Sequence, residues 1–252
     1  MAQGRVAIIT GSTTGIGRAS AVGLGRAGFS VVIHDRESDH GVEAELRAEG
    51  LDVRFCAADL RHPASATRTL VDFALEQFGH IDVVVSNAGV ARHTPLRTIT
   101  EDDWTELLAV NLLAPFFLVQ ASMDELIARR GAVIMISSTN AVTVNRDNIV
   151  YDTTKAALNQ AATALALELR DHGVRVNTLM PGGTRTPLLD GWATDFAGGG
   201  EAAQQLLADG LSRGNVAEPE QIAAGVIMLA TGQADWVNGA TIAIDGGFRL
   251  GD

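Results

Sequence analysis

The amino-acid sequence predicts an α/β fold in which a parallel, doubly wound sheet of about seven strands forms a single domain over residues 1–252. Two observations predict it. Short runs rich in β-branched residues alternate with longer helical patterns, as in a chain that passes repeatedly from strand to helix to strand. The strand runs are also continuously apolar rather than alternating, which a sheet covered by helices on both faces requires.

The individual elements follow from the same patterns. The seven predicted strands cover residues 5–10, 30–35, 52–57, 82–87, 131–137, 174–180 and 241–244. The main predicted helices cover residues 18–27, 63–78, 101–128, 151–170 and 219–230. Pro115 lies inside the third helix, where its missing N–H predicts a kink.

The stretch 186–214 differs from the rest of the chain, because it holds three consecutive glycines between two polar helical pieces and few strand formers. An excursion after a late strand lies at the carboxyl edge of the sheet, where ligands bind in such folds. We therefore expect a mobile substrate lid at about 186–214, with a surface loop that has no role as the alternative.

Composition excludes several classes of function. The net charge of -11 argues against nucleic acid and anionic membranes as partners, since both reward clustered Lys and Arg. No apolar stretch is expected to reach membrane-spanning length, and no metal site is predicted. The single cysteine, Cys56, lies in an apolar run and is expected to be buried. These features predict a cytoplasmic protein that acts on a small molecule.

A glycine-rich turn joins the first strand to the first helix, from Thr10 to Gly17. Gly11 allows an unusual backbone angle, Gly15 lets the main chain approach a ligand, and Gly17 lets the helix pack closely on the sheet. The helix N-terminus then offers free N–H groups and a positive dipole end to a pyrophosphate. The turn alone is weak evidence for a dinucleotide, because tight structural turns are also glycine-rich.

Asp35 ends the second strand, where a carboxylate can accept hydrogen bonds from ribose hydroxyls and would repel a 2′-phosphate. Thr14 offers no positive charge to such a phosphate, so both residues favour NAD over NADP. Arg36 is the counter-argument, because a guanidinium beside Asp35 could bind the phosphate. His34 is interpreted as a packed or solvated side chain.

Tyr151 and Lys155 are spaced by four residues on a predicted helix, which places them on one face. A nearby ammonium and a cationic nicotinamide would each lower the pKa of the phenol, so that it could exchange a proton with an alcohol or carbonyl oxygen. Ser138 follows the fifth strand, at the carboxyl edge, where its hydroxyl could hold the substrate oxygen.

Seven motifs in order make the chain resemble the short-chain dehydrogenase/reductase family over nearly its whole length. They are the glycine turn, Asn87-Ala88-Gly89, Asn111, Ser138, Tyr151 with Lys155, residues 181–186 and Asp245-Gly246-Gly247. The resemblance implies a Rossmann-type fold, hydride transfer between NAD(P) and a CH–OH group, and a homotetramer that associates through the helices carrying Asn111 and Tyr151.

The resemblance also implies the roles of single residues. The catalytic set would be Asn111, Ser138, Tyr151 and Lys155, with Asn111 anchoring a water in a proton relay and Lys155 holding the nicotinamide ribose. The cofactor would contact Gly11, Thr14, Gly15, Ile16, Gly17, Asp35, Asp59, Leu60, Asn87, Gly89, Tyr151, Lys155, Thr184 and Thr186.

Two positions depart from the family pattern. Asp152 stands where the family usually has a small residue, and we expect its carboxylate to face solvent rather than to counter Lys155. Thr184 replaces the more usual Val or Ile, which leaves its main-chain contacts intact.

The substrate is predicted to be polar, because residues 139–149, which should form one wall of its pocket, are rich in Asn and Thr. A polyol, a sugar or a hydroxy acid would fit, with His93 and Asn140 as candidate contacts. The alternatives are an apolar or acyl-type ketone, and a cofactor-binding protein without turnover. A lyase, epimerase or dehalogenase on the same fold is disfavoured by Lys155 and by the glycine spacing.

Overall fold

A computed structural model describes residues 4–197, 199–212 and 216–250. Its main sheet has seven strands in the order β3-β2-β1-β4-β5-β6-β9, and every neighbouring pair is parallel. The strands are β1 Arg5–Ile9, β2 Phe29–Asp35, β3 Val53–Ala57, β4 Val83–Ser86, β5 Ala132–Ile136, β6 Arg175–Pro181 and β9 Thr241–Ile244. The predicted Rossmann-type, single-domain α/β fold is confirmed, and each strand lies within two residues of its predicted bounds.

Helices cover both faces of the sheet. They are α1 Gly15–Arg26, α2 Val42–Ala48, α3 Pro63–Phe78, α4 Glu101–Leu108, α5 Ala114–Ala121, α6 Met123–Arg129, α7 Ile149–Leu169 and α10 Pro219–Ala230. One apolar cluster joins α1, α2 and α10 to the sheet through residues such as Leu24, Leu46 and Leu229. A second cluster joins α3, α5 and α7 to the other face through Leu70, Leu118 and Leu158. The continuously apolar strands are therefore buried on both sides, as their pattern requires.

The long helix predicted over residues 101–128 is divided. A π-helical turn, Ala109–Leu113, separates α4 from α5, and Ser122 separates α5 from α6. Pro115 explains the π turn, because it has no N–H to donate to the carbonyl of Asn111, four residues earlier. By length and composition the run Glu101–Ala121 could cross a membrane, so the expectation that no stretch reaches that length was wrong. Several of its apolar residues, among them Val110, Leu118 and Val119, belong to the core cluster that also contains Leu70 of α3.

The strand order brings the functional motifs together. From β1 the chain moves outward to β2 and β3, and then returns to β4 on the other side of β1. The connections therefore diverge above the carboxyl ends of β1 and β4, which leaves a crevice there. The glycine turn follows β1 and Asn87 follows β4, so both lie at this switch point.

The excursion predicted as a lid contains two helices, α8 Pro187–Ala197 and α9 Gly200–Ser212. A two-stranded sheet of β7 Gly183–Thr184 and β8 Val216–Ala217 joins the two ends of this segment. An ion pair between Arg185 and Glu218 lies beside it. Residues 198, 213 and 214 of the predicted lid lie outside the described residues.

Candidate active site

The glycine turn is shaped by close backbone packing. Gly11 has a φ of +62°, and a Cβ on it would lie 2.9 Å from the Cα of Ala88. A Cβ on Gly17 would lie 2.1 Å from the carbonyl oxygen of Gly11 and 2.5 Å from Nδ2 of Asn87. That Nδ2 donates to the carbonyls of Thr10, at 2.9 Å, and of Gly11, at 2.8 Å. The Asn-Ala-Gly motif after β4 thus fixes the turn after β1.

His34 anchors the same turn from the other side, a role that the sequence did not reveal. Its Nδ1 accepts a hydrogen bond from the N–H of Gly11 at 3.0 Å, and its Nε2 lies 2.9 Å from the carbonyl oxygen of Ala58. Since a backbone N–H can only donate and a carbonyl can only accept, these contacts select the neutral ring with its proton on Nε2. Burial lowers the pKa of His34 in agreement with that form.

Polar groups at the ends of β2 and β3 would face the adenosine half of a dinucleotide. One oxygen of Asp35 accepts from the hydroxyl of Thr13, and the other accepts from the N–H of Arg36 at 2.6 Å. The guanidinium of Arg36 is turned to Glu37, with Nε 3.0 Å from Oε1. Asp59 binds Arg61 through both carboxylate oxygens, and this hydrogen bonding lowers the pKa of Asp59 to about 2.

Tyr151 and Lys155 lie side by side on α7, with Nζ 5.7 Å from the centroid of the phenol ring. Both are buried, and Nζ donates to the carbonyl of Ile136 at 2.9 Å. Burial raises the pKa of Tyr151 to about 12, although a hydrogen bond from Ser138 opposes the shift. Burial also lowers the pKa of Lys155 to about 8. In the free protein, desolvation therefore dominates the pKa of the phenol, and the lowering expected from Lys155 together with a cationic nicotinamide stays a prediction.

Asn111 lies inside the π turn, and its side chain binds the loop after β4. Its Oδ1 accepts from the N–H of Val90 at 2.9 Å, and its Nδ2 donates to the carbonyl of Val90 at 2.8 Å and to Oγ1 of Thr154 at 3.2 Å. A Cβ on Gly89 would lie 3.4 Å from this Oδ1 and 3.5 Å from Nζ of Lys155. The π turn and α7 thus meet at Gly89.

Asp152 does not face solvent, so the sequence-based expectation was wrong. It is 7% exposed, and its carboxylate accepts from Nδ2 of Asn140 at 2.7 Å and from the N–H of Asn145 at 3.1 Å. The side chain of Asn148 adds a third hydrogen-bonding contact. The reason is that the loop between β5 and α7 folds back over the first turn of α7 and supplies donors that the sequence pattern does not reveal.

A cleft of about 1140 Å³ opens along the carboxyl edge of the sheet and collects most of the predicted site residues. The predicted residues that line it are Gly11, Thr14, Gly15, Ile16, Asp35, Asp59, Leu60, Asn87, Gly89, Ser138, Asn140, Tyr151, Lys155, Thr184 and Thr186. Gly17 and Asn111 lie beneath this lining. His93 is not part of the lining, and its Nε2 lies 3.8 Å from Oδ2 of Asp147. Its role as a substrate contact stays a prediction.

Sequence reasoning missed several lining residues. Arg61 and Glu106 are among them, and so are Asn145 and Asn148 in the polar segment that was expected to face the substrate. The helices of the excursion contribute apolar side chains, namely Leu188, Leu189, Trp192, Leu206 and Leu207. A helical periodicity over residues 187–212 was the available signal for these, but it does not show which face turns inward.

Comparison with known proteins agrees with this geometry. Residues 5–196 match the family model described as short chain dehydrogenase. A 2,5-dichloro-2,5-cyclohexadiene-1,4-diol dehydrogenase from Sphingobium indicum is 35% identical over 98% of this chain and 97% of that protein. An L-rhamnose-1-dehydrogenase from Scheffersomyces stipitis is 32% identical over 97% of this chain and 96% of that protein.

Solved structures give the same result. A gluconate 5-dehydrogenase from Burkholderia cenocepacia, in complex with NADP and tartrate, superposes with a TM-score of 0.86. It is 31% identical, over 98% of this chain and 96% of that one. The fold and the site define a nicotinamide-dependent oxidoreductase. This chain belongs to the short-chain dehydrogenase/reductase family, and it is a dehydrogenase or reductase that acts on CH–OH groups.

Proposed function

We propose that this enzyme transfers a hydride between NAD and a polar secondary alcohol or ketone, such as a polyol, a sugar or a hydroxy acid. The observation that supports it is the asparagine-rich wall of the cleft next to Ser138 and Tyr151, formed by Asn140, Asn145 and Asn148. Amide groups in such a wall can bind hydroxyl groups, whereas a hydrocarbon would leave them without partners.

The residues of this chain divide the chemistry among them. The hydroxyl of Ser138 and the phenol of Tyr151 hold the substrate oxygen, and Tyr151 gives or takes its proton. Lys155 is fixed by the carbonyl of Ile136, which places its charge beside the phenol. The cradle formed by Gly11, Gly15 and Gly17 fits a dinucleotide, because a Cβ at these positions would collide with neighbouring atoms. When bound, oxidised nicotinamide supplies the hydride acceptor and a positive charge that favours the phenolate.

A preference for NAD is the finer part of the proposal, since the gluconate 5-dehydrogenase was solved with NADP. Asp35 lines the cleft at the end of β2. Thr13 and the N–H of Arg36 hold its carboxylate in place. A fixed carboxylate there binds ribose hydroxyls and repels a 2′-phosphate. The guanidinium of Arg36 would have to leave Glu37 to offset that repulsion.

The cofactor preference is tested by replacing the carboxylate. Asp35→Ser should lower kcat/KM with NAD and raise the NADP-to-NAD ratio of kcat/KM by about 100-fold, because the repulsion of the phosphate is removed. Asp39→Asn is the matched control, since it removes a charge near the same cleft edge but does not line the cleft. A wild-type enzyme that already prefers NADP would refute the preference and leave the reaction class intact.

The reaction itself is tested by absorbance of the reduced nicotinamide with a panel of alditols, sugars, hydroxy acids and hydrophobic alcohols. Tyr151→Phe should lower kcat at least about 100-fold, as expected for loss of a general acid or base. Cofactor affinity should fall much less. A folded enzyme without turnover of any panel member would instead favour a cofactor-binding protein.

An apolar or acyl-type ketone is the second candidate, because Leu188, Trp192 and Leu206 also line the cleft. A panel in which hydrophobic ketones are turned over much faster than polyols would establish this second candidate. The amphipathic lining also fits a sugar, whose ring has apolar C–H faces between its hydroxyls.

We also propose a cytoplasmic homotetramer. Leu113 and Phe116 near the start of α5 and Leu167 on α7 are large apolar side chains exposed to solvent in the single chain. A second copy of the chain packed on these helices would cover them. Light scattering should then give the mass of four chains, and Leu167→Glu should lower that mass without loss of secondary structure.

A further inference from the structure

We propose that Asp152 is a positioning and specificity-determining residue, whose buried carboxylate holds the asparagine wall and makes the cleft select uncharged polyhydroxylated substrates over carboxylates. This inference rests on the proposed function, since it narrows the substrate class of the same site. It follows from three features, which are the donors around the carboxylate, the acceptor oxygens of the wall, and the distribution of charge.

The donors around Asp152 come from the substrate-facing loop. Nδ2 of Asn140, at 2.7 Å, and the N–H of Asn145, at 3.1 Å, both point at its oxygens, and the side chain of Asn148 contributes a third contact. Burial raises the pKa of the Asp152 carboxyl, whereas the hydrogen bonds from these donors lower it and favour the ionised form. The peptide N–H of Asp152 also donates to the carbonyl of Asn148, at 2.9 Å, as the first hydrogen bond of α7.

The contacts of Asp152 determine the orientation of the amide groups in the asparagine wall. Because the amide nitrogen of Asn140 is turned to Asp152, its Oδ1 is directed away from the carboxylate. Oδ1 of Asn148 is buried without a hydrogen-bond partner among the described residues, although Asn148 lines the cleft and is 3% exposed. A buried acceptor without a partner is costly, and a ligand hydroxyl can satisfy it by donating. A carboxylate has no proton to donate to either oxygen.

Charge acts in the same direction. Among the described lining residues from the elements around Ser138, the charged groups are Glu106, Lys155 and Asp209. Lys155 is committed to the carbonyl of Ile136 and to the phenol. Arg36 and Arg61 follow β2 and β3, and β1 and β4 separate those strands from β5. That is a distance of about 14 Å or more at the usual strand spacing. Among the described residues that line the cleft around Ser138, no guanidinium would thus offset the field of Asp152 on an anionic substrate.

The charge of the same carboxylate also affects the pKa of the catalytic phenol. A change in that pKa can therefore be measured, and a residue with a purely structural role would not change it. Burial is the main cause of the raised pKa of Tyr151, the hydrogen bond from Ser138 lowers that pKa, and the charge of Asp152 raises it further by favouring the neutral phenol. Lys155 on α7 lies beside the phenol, and Glu106 on α4 lines the same cleft, where it is paired with Arg92. Tyr151 is the only tyrosine in the chain, so the ultraviolet absorbance of phenolate reports on it alone.

The experiment compares Asp152→Asn and Asp152→Ser with the wild type, and uses Asp171→Asn as a control of equal charge change. Asp171 is exposed and lies just before β6, at the opposite edge of the sheet. The first measurement is the absorbance titration of Tyr151 with NAD bound. In both Asp152 variants, Tyr151 should ionise at a pH about one unit lower than in the wild type, as removal of a nearby like charge predicts. The control should not shift.

The second measurement is kcat/KM for alditol and aldonate pairs of equal configuration, such as D-glucitol and D-gluconate, which differ only by a hydroxymethyl group in place of the carboxylate. In the wild type, kcat/KM should be higher for the alditol of each pair that is turned over. In both variants, the alditol-to-aldonate ratio of kcat/KM should fall at least about tenfold. KM for the alditol should rise more in Asp152→Ser, which loses both acceptor oxygens, than in Asp152→Asn, which keeps one.

Outcomes that overturn the inference are distinct from those that overturn the proposed function. A wild type that prefers aldonates, or variants with an unchanged preference and an unchanged titration of Tyr151, would overturn the role of Asp152. A panel in which no pair is oxidised would overturn the proposed function, whereas the titration would still decide whether Asp152 acts on the phenol.

Discussion

Lys155→Met should make the free enzyme more stable at neutral pH while it abolishes turnover. Lys155 is 3% exposed, and burial lowers its pKa from 10.5 to about 8. Holding the ammonium in this site therefore costs about 3 kcal/mol at pH 7, at about 1.4 kcal/mol per pH unit. The hydrogen bond that Nζ donates to the carbonyl of Ile136 returns about 1 kcal/mol. Methionine fills a similar volume without charge, so the net gain should be about 2 kcal/mol.

The pH dependence identifies the cause. The pKa of Lys155 is lower in the folded than in the unfolded protein, so the unfolded chain binds the proton of the ε-amino group more tightly. The cost of burying the ammonium is therefore fully present below about pH 8. It disappears as the pH rises from about 8 to 10.5, where both states become neutral. The stability gain of Lys155→Met should therefore decrease over this pH range. Above it, the variant should be about 1 kcal/mol less stable than the wild type, because it lacks the hydrogen bond to Ile136.

The measurement is urea unfolding of wild type and Lys155→Met without cofactor, since bound cofactor would add its own stabilisation. Lys155 is the only lysine in the chain, so the titration of its ε-amino group can be followed in parallel by NMR without assignment. A variant that is less stable than the wild type at pH 7, or an advantage that does not change between pH 7 and 10.5, would refute the reasoning.

Three further predictions follow from the site. Gly17→Ala should lower the free energy of unfolding by about 1–3 kcal/mol and weaken dinucleotide binding in calorimetry, because its Cβ meets a backbone oxygen. Gly23→Ala on the same helix meets only the end of the Ile227 side chain and should be tolerated. Asn111→Ala should cost about 2–4 kcal/mol in urea unfolding through three lost hydrogen bonds, and should lower kcat. Alcohol oxidation should accelerate as the pH rises toward the pKa of Tyr151, whereas ketone reduction should be flat near neutrality and fall only at alkaline pH.

The sequence predicted the sheet and the place of the site for the same physical reason. Strands buried on both faces must be continuously apolar, and such runs can be recognised without any tertiary information. Once the strands are parallel, the residues that follow them meet at one edge. That is why Gly11, Asn87 and Ser138 could be grouped before any contact was known.

Side-chain partners could not be predicted in this way. The carboxylate of Asp152 is buried because the loop carrying Asn140 and Asn145 folds over α7, and the polarity of that loop is equally compatible with an exposed turn. His34 is a similar case, because its partners Gly11 and Ala58 follow two other strands. The π turn at Asn111 is different: the proline four residues later was a usable signal, but it was interpreted only as a kink.

The environment of Tyr151 explains how one residue can serve both directions of the reaction. In the free protein, burial and the charge of Asp152 favour the neutral phenol, with a pKa of about 12. A neutral phenol is the acid that ketone reduction needs, so the fold alone prepares that direction. Alcohol oxidation needs the phenolate, which requires additional positive charge beside the ring. Lys155 lies 5.7 Å from the ring centroid, yet burial lowers its own pKa to about 8, so its charge is itself easily lost. In the proposed mechanism, the base form of the tyrosine would therefore depend on the charge of the bound cofactor, which would couple the protonation state of the site to the redox state of the nicotinamide.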